Sequence, residues 1–216
     1  MTEQQWLTHG HPTSMVHFLE GKTSDRKLRL YACACARWTW SGPPDVRCMI
    51  AVETAERFAD GQATIEELAE TYRPARRVSI EWARQHPGTP GQYPLIAPAD
   101  AASRSAFDAA HTGSLDAGWK EAEFNPASAD YAALADLARC VFGNPFRPAA
   151  LDPDWSSAAV VSLAREIYDS RAFGLLPTLA DSLVAAGCND ADIQFHCRTD
   201  RLHARGCWVV DLLGRQ

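Results

Sequence analysis

The run Ser24-Asp25-Arg26-Lys27-Leu28-Arg29-Leu30-Tyr31-Ala32-Cys33-Ala34-Cys35-Ala36-Arg37-Trp38 decides the fold class. Ser24 or Asp25 suits a helix N-cap, because a short side-chain oxygen can accept from a first-turn N–H that has no partner within the helix. Leu28, Tyr31, Ala32, Cys35 and Trp38 then recur at helical spacing. Four cations, Arg26, Lys27, Arg29 and Arg37, stand against the single Asp25, a pattern that predicts a solvated basic face. Cys33 and Cys35 are two apart and point in different directions on a helix, so core packing is expected of them and not CxxC chemistry.

Outward from this helix the same periodicity recurs. Short helical turns are expected over Thr2–Leu7 and after Pro12, whose missing N–H costs nothing in a first turn. Asp45 starts a helix through Val46, Met49, Ile50, Val52 and Phe58, which Asp60-Gly61 ends. Thr64-Ile65-Glu66-Glu67 spells a capping box, and the helix behind it either continues past Pro74 or breaks there. From Ala51 to Tyr72 six carboxylates face only Arg57, so this acidic helical pair is expected to complement the basic helix before it. Residues 86–98 hold four prolines and two glycines and read as a long loop or a boundary between halves. A helical stretch is expected from Ala99 to Ala122, with Phe107, Leu115 and Trp119, and another from Ser128 to Val141 carrying Tyr131, Leu134, Leu137, Ala138 and Val141. Asn144-Pro145-Phe146-Arg147-Pro148 is a rigid turn that pins helices or displays Phe146 and Arg147. Helices through Val160–Tyr168, from Leu176-Pro177 to Gly187, from Ala191 to Cys197 and from Gly206 through Leu213 complete the chain. No stretch alternates as a strand pair would. The expectation is an all-α, irregular multi-helix bundle of nine or ten short helices in a single domain over residues 1–216, with a variable Pro/Gly-rich middle at about 71–127.

Four blocks carry a resemblance: Ser24-Asp25-Arg26-Lys27-Leu28-Arg29-Leu30, Cys140-Val141-Phe142-Gly143-Asn144-Pro145-Phe146-Arg147-Pro148, Leu179-Ala180-Asp181-Ser182-Leu183, and Arg205-Gly206-Cys207-Trp208-Val209-Val210-Asp211-Leu212-Leu213. They resemble an uncharacterised helical family expanded in planctomycete-type bacteria. The likeness covers roughly residues 1–70 and 130–216. It implies no activity, cofactor or catalytic residue, and relatives need not keep a thiol at position 197.

Composition narrows the function classes. The chain has 216 residues, 46% hydrophobic and 22% charged, with a net charge of −6. Such a balance disfavours nucleic acid and anionic membranes, which select basic surfaces. No apolar run approaches the roughly 18 residues a membrane span needs, and Met1–Ser14 does not read as a secretory signal. Seven cysteines without such a signal are expected to be reduced thiols in a cytoplasm.

The chemistry concentrates near the C-terminus. Cys188, Cys197, His203 and Cys207 form Cys-x8-Cys-x5-His-x3-Cys, the frame of a CCCH-type zinc finger with its last two ligands exchanged. Thiolates and imidazole suit tetrahedral zinc, and His203 and Cys207 stand four apart; His196 is a spare ligand. The alternative is that Cys188, Cys197 and Cys207 are packing residues and His203 belongs to a turn. From Cys188 to Gln216 four arginines balance four aspartates, which gives phosphate no net attraction. Sequence motifs for a nucleophile elbow, phosphate loop, zinc protease or dinucleotide fold are absent, so an enzyme would need a site assembled from distant residues. Seven tryptophans, at 6, 38, 40, 82, 119, 155 and 208, supply packing area, and an aromatic left exposed beside the basic helix would make a partner surface. The leading expectation is a helical protein–protein interaction or scaffolding module, and the alternative is a structural zinc protein.

Overall fold

The computed structural model describes residues 1–8, 10–40, 42–86, 97–118 and 129–214, and nearly three quarters (72%) of these are helical with no strand among them. Twelve α-helices follow one another: α1 (Glu3–Thr8), α2 (Pro12–Leu19), α3 (Asp25–Trp38), α4 (Val46–Ala59), α5 (Ile65–Gln85), α6 (Ala97–Ala101), α7 (Ala106–Gly118), α8 (Ala129–Phe142), α9 (Ala158–Ser170), α10 (Leu176–Ala185), α11 (Ala191–Arg198) and α12 (Trp208–Gly214). The all-α expectation holds. The count exceeds the expected nine or ten partly because the 99–122 region is divided: the Ser105 hydroxyl accepts from the Asp108 N–H and starts a new helix. Trp119 and most of the Pro/Gly-rich 86–98 stretch lie outside the described residues. The local signals work as physics demands. Ser24 accepts from the Lys27 N–H, Thr64 and Glu67 form both halves of the capping box, and α5 runs through Pro74 without breaking. None of the described helices is long and apolar enough to cross a membrane.

Helix α3 is the axis, packed against α4, α6, α7 and α8. Every residue from Leu28 to Ala36 is buried. Ala32, Ala34, Ala36, Cys33 and Cys35 make this possible, because small side chains let neighbouring helices approach from all sides. Two hydrophobic clusters form around it. Trp6, Met15, Leu19, Tyr31, Leu68 and Leu134 belong to the first, and Ile167, Leu176, Leu179, Leu183, Ile193 and Leu213 to the second. Helix α8 serves both: Val141 sits in the first and its neighbour Cys140 in the second. Among the described tryptophans Trp6 is fully buried, and Trp38, Trp40, Trp155 and Trp208 pack half-buried against the clusters. The Asn144–Pro148 turn pins α1, since the Trp6 indole N–H donates to the Gly143 carbonyl (2.9 Å) and Asn144 donates to Glu3 (2.7 Å).

The basic face of α3 is not the solvated surface its sequence predicts. Arg29 is buried and donates to the carbonyls of Ala101, Ser103 and Arg104, closing the end of α6. Arg26 grips Asp211 of α12 with two nitrogens (2.6 and 3.0 Å), Asp60 after α4 (3.0 Å) and the Tyr168 hydroxyl of α9 (2.7 Å). Arg37 binds both oxygens of Glu56, which Arg171 also reaches. The acidic helix does complement the basic one, as its composition suggests, but the ion pairs also draw in the second cluster. They are buried because each charge has a charged partner and fixed hydrogen bonds, the condition under which ionised groups tolerate an interior.

Two outcomes follow from this layer. Glu56→Ala leaves the guanidiniums of Arg37, Arg171 and Arg205 facing one another without their shared carboxylate, and is expected to cost about 3–5 kcal/mol in urea unfolding; a loss under ~1 kcal/mol would mean the pairs are solvated. Asp211 also titrates abnormally: burial works to raise its pKa, but Arg26 and Lys27 outweigh it and hold the pKa below the usual carboxylate range. Its contribution is then complete above the unfolded value of about 3.9 and fades as pH falls through the lower folded value. Asp211→Asn is expected to flatten the acid limb of the stability profile.

Candidate metal centre

Four side chains, two from helices and two from the connection between α11 and α12, converge where the clusters meet. Cys140 comes from the last turn of α8, His196 from the last turn of α11, His203 from the connection after it, and Cys207 from the residue just before α12. One ligand atom from each lies within 4.8 Å of all the others. His196 Nε2 is 3.1 Å from Cys207 Sγ, and His203 Nδ1 is 3.5 Å from Cys140 Sγ. Both cysteines are buried and both histidines half-buried. The imidazoles cross edge-on with centroids 4.9 Å apart, and Trp208 and Phe173 pack against their outer sides.

The backbone beneath the thiols is held from α3. Lys27 Nζ donates to the carbonyl of Val141 (2.9 Å), beside Cys140, and to the carbonyl of Gly206 (2.6 Å), beside Cys207, while pairing with Asp211 (2.6 Å). One ammonium therefore sets the separation of two chain segments far apart in sequence. Gly206 is required here, because its φ is +89° and a Cβ would lie 2.9 Å from the Leu30 side chain.

Of the residues expected from the sequence, the structure brings His203 and Cys207 together and adds the spare His196. Cys188 and Cys197 are buried in the second hydrophobic cluster and stand outside the four-residue group. The reason lies in α11: adjacent residues on a helix point about 100° apart, so His196 facing the group turns its neighbour Cys197 toward the core. Burial there pushes the Cys197 thiol up to about 12, the behaviour of a packing residue. Cys140 is the member of the group that sequence reasoning missed. Its signal was an apolar residue off the main stripe of α8, which marks a helix buried on a second face.

A tetrahedral zinc ion with Zn–N near 2.1 Å and Zn–S near 2.3 Å needs ligand atoms about 3.3–3.8 Å apart. The His203–Cys140 separation of 3.5 Å falls in that range, the His196–Cys207 separation of 3.1 Å lies just below it, and no pair exceeds 4.8 Å. Without a cation the two thiols share a proton unequally. Burial works to raise the pKa of Cys207, but the Cys140 hydrogen bond and the His196 and His203 imidazoles overcome it and hold Cys207 well below the ordinary thiol range. Burial, and then the Cys207 thiolate itself, push Cys140 up. The group thus combines a thiol that loses its proton readily with two imidazoles, a donor set suited to a cation.

The group forms part of the wall of an open groove of about 1010 Å³, which Cys140, His196, His203 and Trp208 line together with Lys27 and Arg201. Metal-free protein is expected to show the ultraviolet absorbance of a thiolate at neutral pH, lost on acidification and in Cys207→Ala; a thiolate band that survives Cys207→Ala would place the charge on another cysteine.

Comparison with protein-family models, with curated proteins and with solved structures finds no significant match, so the chemistry of this centre is read from its own geometry.

Proposed function

We propose that this chain is a zinc-binding helical protein in which Cys140, His196, His203 and Cys207 hold a structural ion. The observation that carries this reading is the convergence of two thiols and two imidazoles, each offering an atom within 4.8 Å of the rest. Two thiolates balance the charge of a divalent ion, and mixed sulfur–nitrogen donors in a four-fold set select zinc over harder cations. The ion would tie α11, the following connection and α12 to the end of α8, joining parts that contact one another only lightly otherwise. Four protein ligands leave no open position for a substrate, which favours a structural role over a hydrolytic one.

What such a structural ion would organise is the groove. Phe195, 63% exposed, lies on its wall beside His196, and Phe146, near its rim, is 38% exposed. Exposed aromatics on the flank of a concave surface support the second part of the reading, a helical interaction module whose partner is a protein.

Elemental analysis of purified, tag-free protein tests the metal. About one zinc per chain is expected, absent from Cys140→Ser and Cys207→Ser and retained by Cys188→Ser and Cys197→Ser. Zinc retained by Cys140→Ser but lost from Cys188→Ser and Cys197→Ser would instead favour the ligand set spaced along the C-terminal segment. No zinc in a folded, reduced sample would end the metal reading.

A further inference from the structure

All seven cysteines are buried and none is in a disulfide, yet they divide into two kinds. Cys33, Cys35, Cys48, Cys188 and Cys197 are distributed among packed helices, and Cys33 donates weakly to the Val52 carbonyl at 3.8 Å. Cys140 and Cys207 have each other and two imidazoles as neighbours. Cys140 alone among the cysteines also lines the groove, while Cys207 stands behind it at 0% exposure. Cys140, itself 2% exposed, thus stands on the groove wall, and its companion lies behind it with the sulfurs within 4.8 Å of each other.

We propose that Cys140 and Cys207 are a peroxide-oxidisable pair whose disulfide expels the ion, making the centre a redox-controlled metal site. This inference rests on the zinc reading above. The groove admits a small neutral peroxide to the Cys140 sulfur. That thiolate attacks one peroxide oxygen, the O–O bond breaks, and the departing hydroxide takes a proton to leave as water, which makes Cys140 a sulfenic acid. Cys207 then attacks the sulfenic sulfur; the S–O bond breaks, the oxygen leaves as a second water after protonation, and the S–S bond forms. In sum, one zinc dithiolate, one hydrogen peroxide and two protons give one disulfide, two waters and one free zinc ion. Sulfur is oxidised and peroxide oxygen reduced, with no further co-reactant.

The ligand set makes a single oxidation decisive. A centre with four cysteines keeps two thiolates after one disulfide forms. This one keeps none: His196 and His203 remain, two neutral donors against a divalent charge. Both sulfurs that hold the ion are also the two that can reach one another. Lys27 fixes the carbonyls beside both cysteines, so the pair stays in register before and after the ion departs.

The test uses the full-length, zinc-loaded, reduced protein, titrated with hydrogen peroxide while a chromogenic chelator reports free zinc and peptide mass spectrometry maps disulfides. The expected result is one zinc released per peroxide consumed, a Cys140–Cys207 disulfide, and recovery of bound zinc after dithiothreitol and fresh metal. Cys197→Ser is expected to release zinc as the wild type does, because that thiol lies outside the ligand group. Zinc that stays bound while peroxide is consumed, or a disulfide mapping to Cys188–Cys197 or Cys197–Cys207, would overturn the inference and leave the zinc reading standing. A reduced protein that takes up no zinc before any peroxide is added would overturn the zinc reading itself, and the inference with it.

Discussion

The fold turns on how α3 spends its charges. A helix buried on every side has no face to give to water, so each cation on it must find a partner inside the protein. Arg26 does so between Asp60 and Asp211, Arg37 on Glu56, Arg29 on three carbonyls and Lys27 on two carbonyls and a carboxylate. Those partners lie on α4, α6, α8 and α12 and on the turns beside them, so satisfying one helix fixes the placement of most of the others. Apolar packing builds two clusters, and the fixed charges specify how the clusters meet. A charged layer of this kind adds less stability than its contact count suggests, since desolvation offsets most of the attraction. Its contribution is geometry: few other arrangements of these helices would leave all the guanidiniums paired.

That geometry extends directly to the Cys/His group. The same α3 residue that meets Asp211 reaches the backbone beside Cys140 and beside Cys207, so the thiols inherit their spacing from the ion-pair layer. The centre is a consequence of the interface between the two clusters and not an independent finger folded on its own.

The contrast between what could and could not be read in the sequence follows the range of each interaction. Local chemistry was legible: the Ser24 cap, the Thr64–Glu67 box and the helical periods depend on residues within a turn or two of each other. The path of α5 through Pro74 was left open, because a proline's cost is decided by tertiary packing. The basic face of α3 was misjudged for a related reason. Four cations on one helix look solvated until their partners, up to 185 residues away, are placed beside them. The Cys/His group was half legible. His203 and Cys207 share a local spacing, and His196 was in view, but the cysteine completing the set belongs to another helix. Cys197 took its place in the sequence reading because spacing along a chain says nothing of which way a helical residue turns.

The sequence separation between Cys140 and its neighbour His203 has a bearing on when the centre can form at all. Cys140 stands 63 residues before His203, and the intervening chain builds α9, α10 and α11. Bringing such remote groups together costs loop-closure entropy that one metal–ligand bond in an unfolded chain would have to meet alone. An ion held as proposed would therefore not seed this fold as it seeds a finger whose ligands lie within a few turns. It would enter after α8 and the end of the chain have docked, as a latch on a finished architecture, and its departure would loosen the end of the chain while the helices around α3 stay assembled.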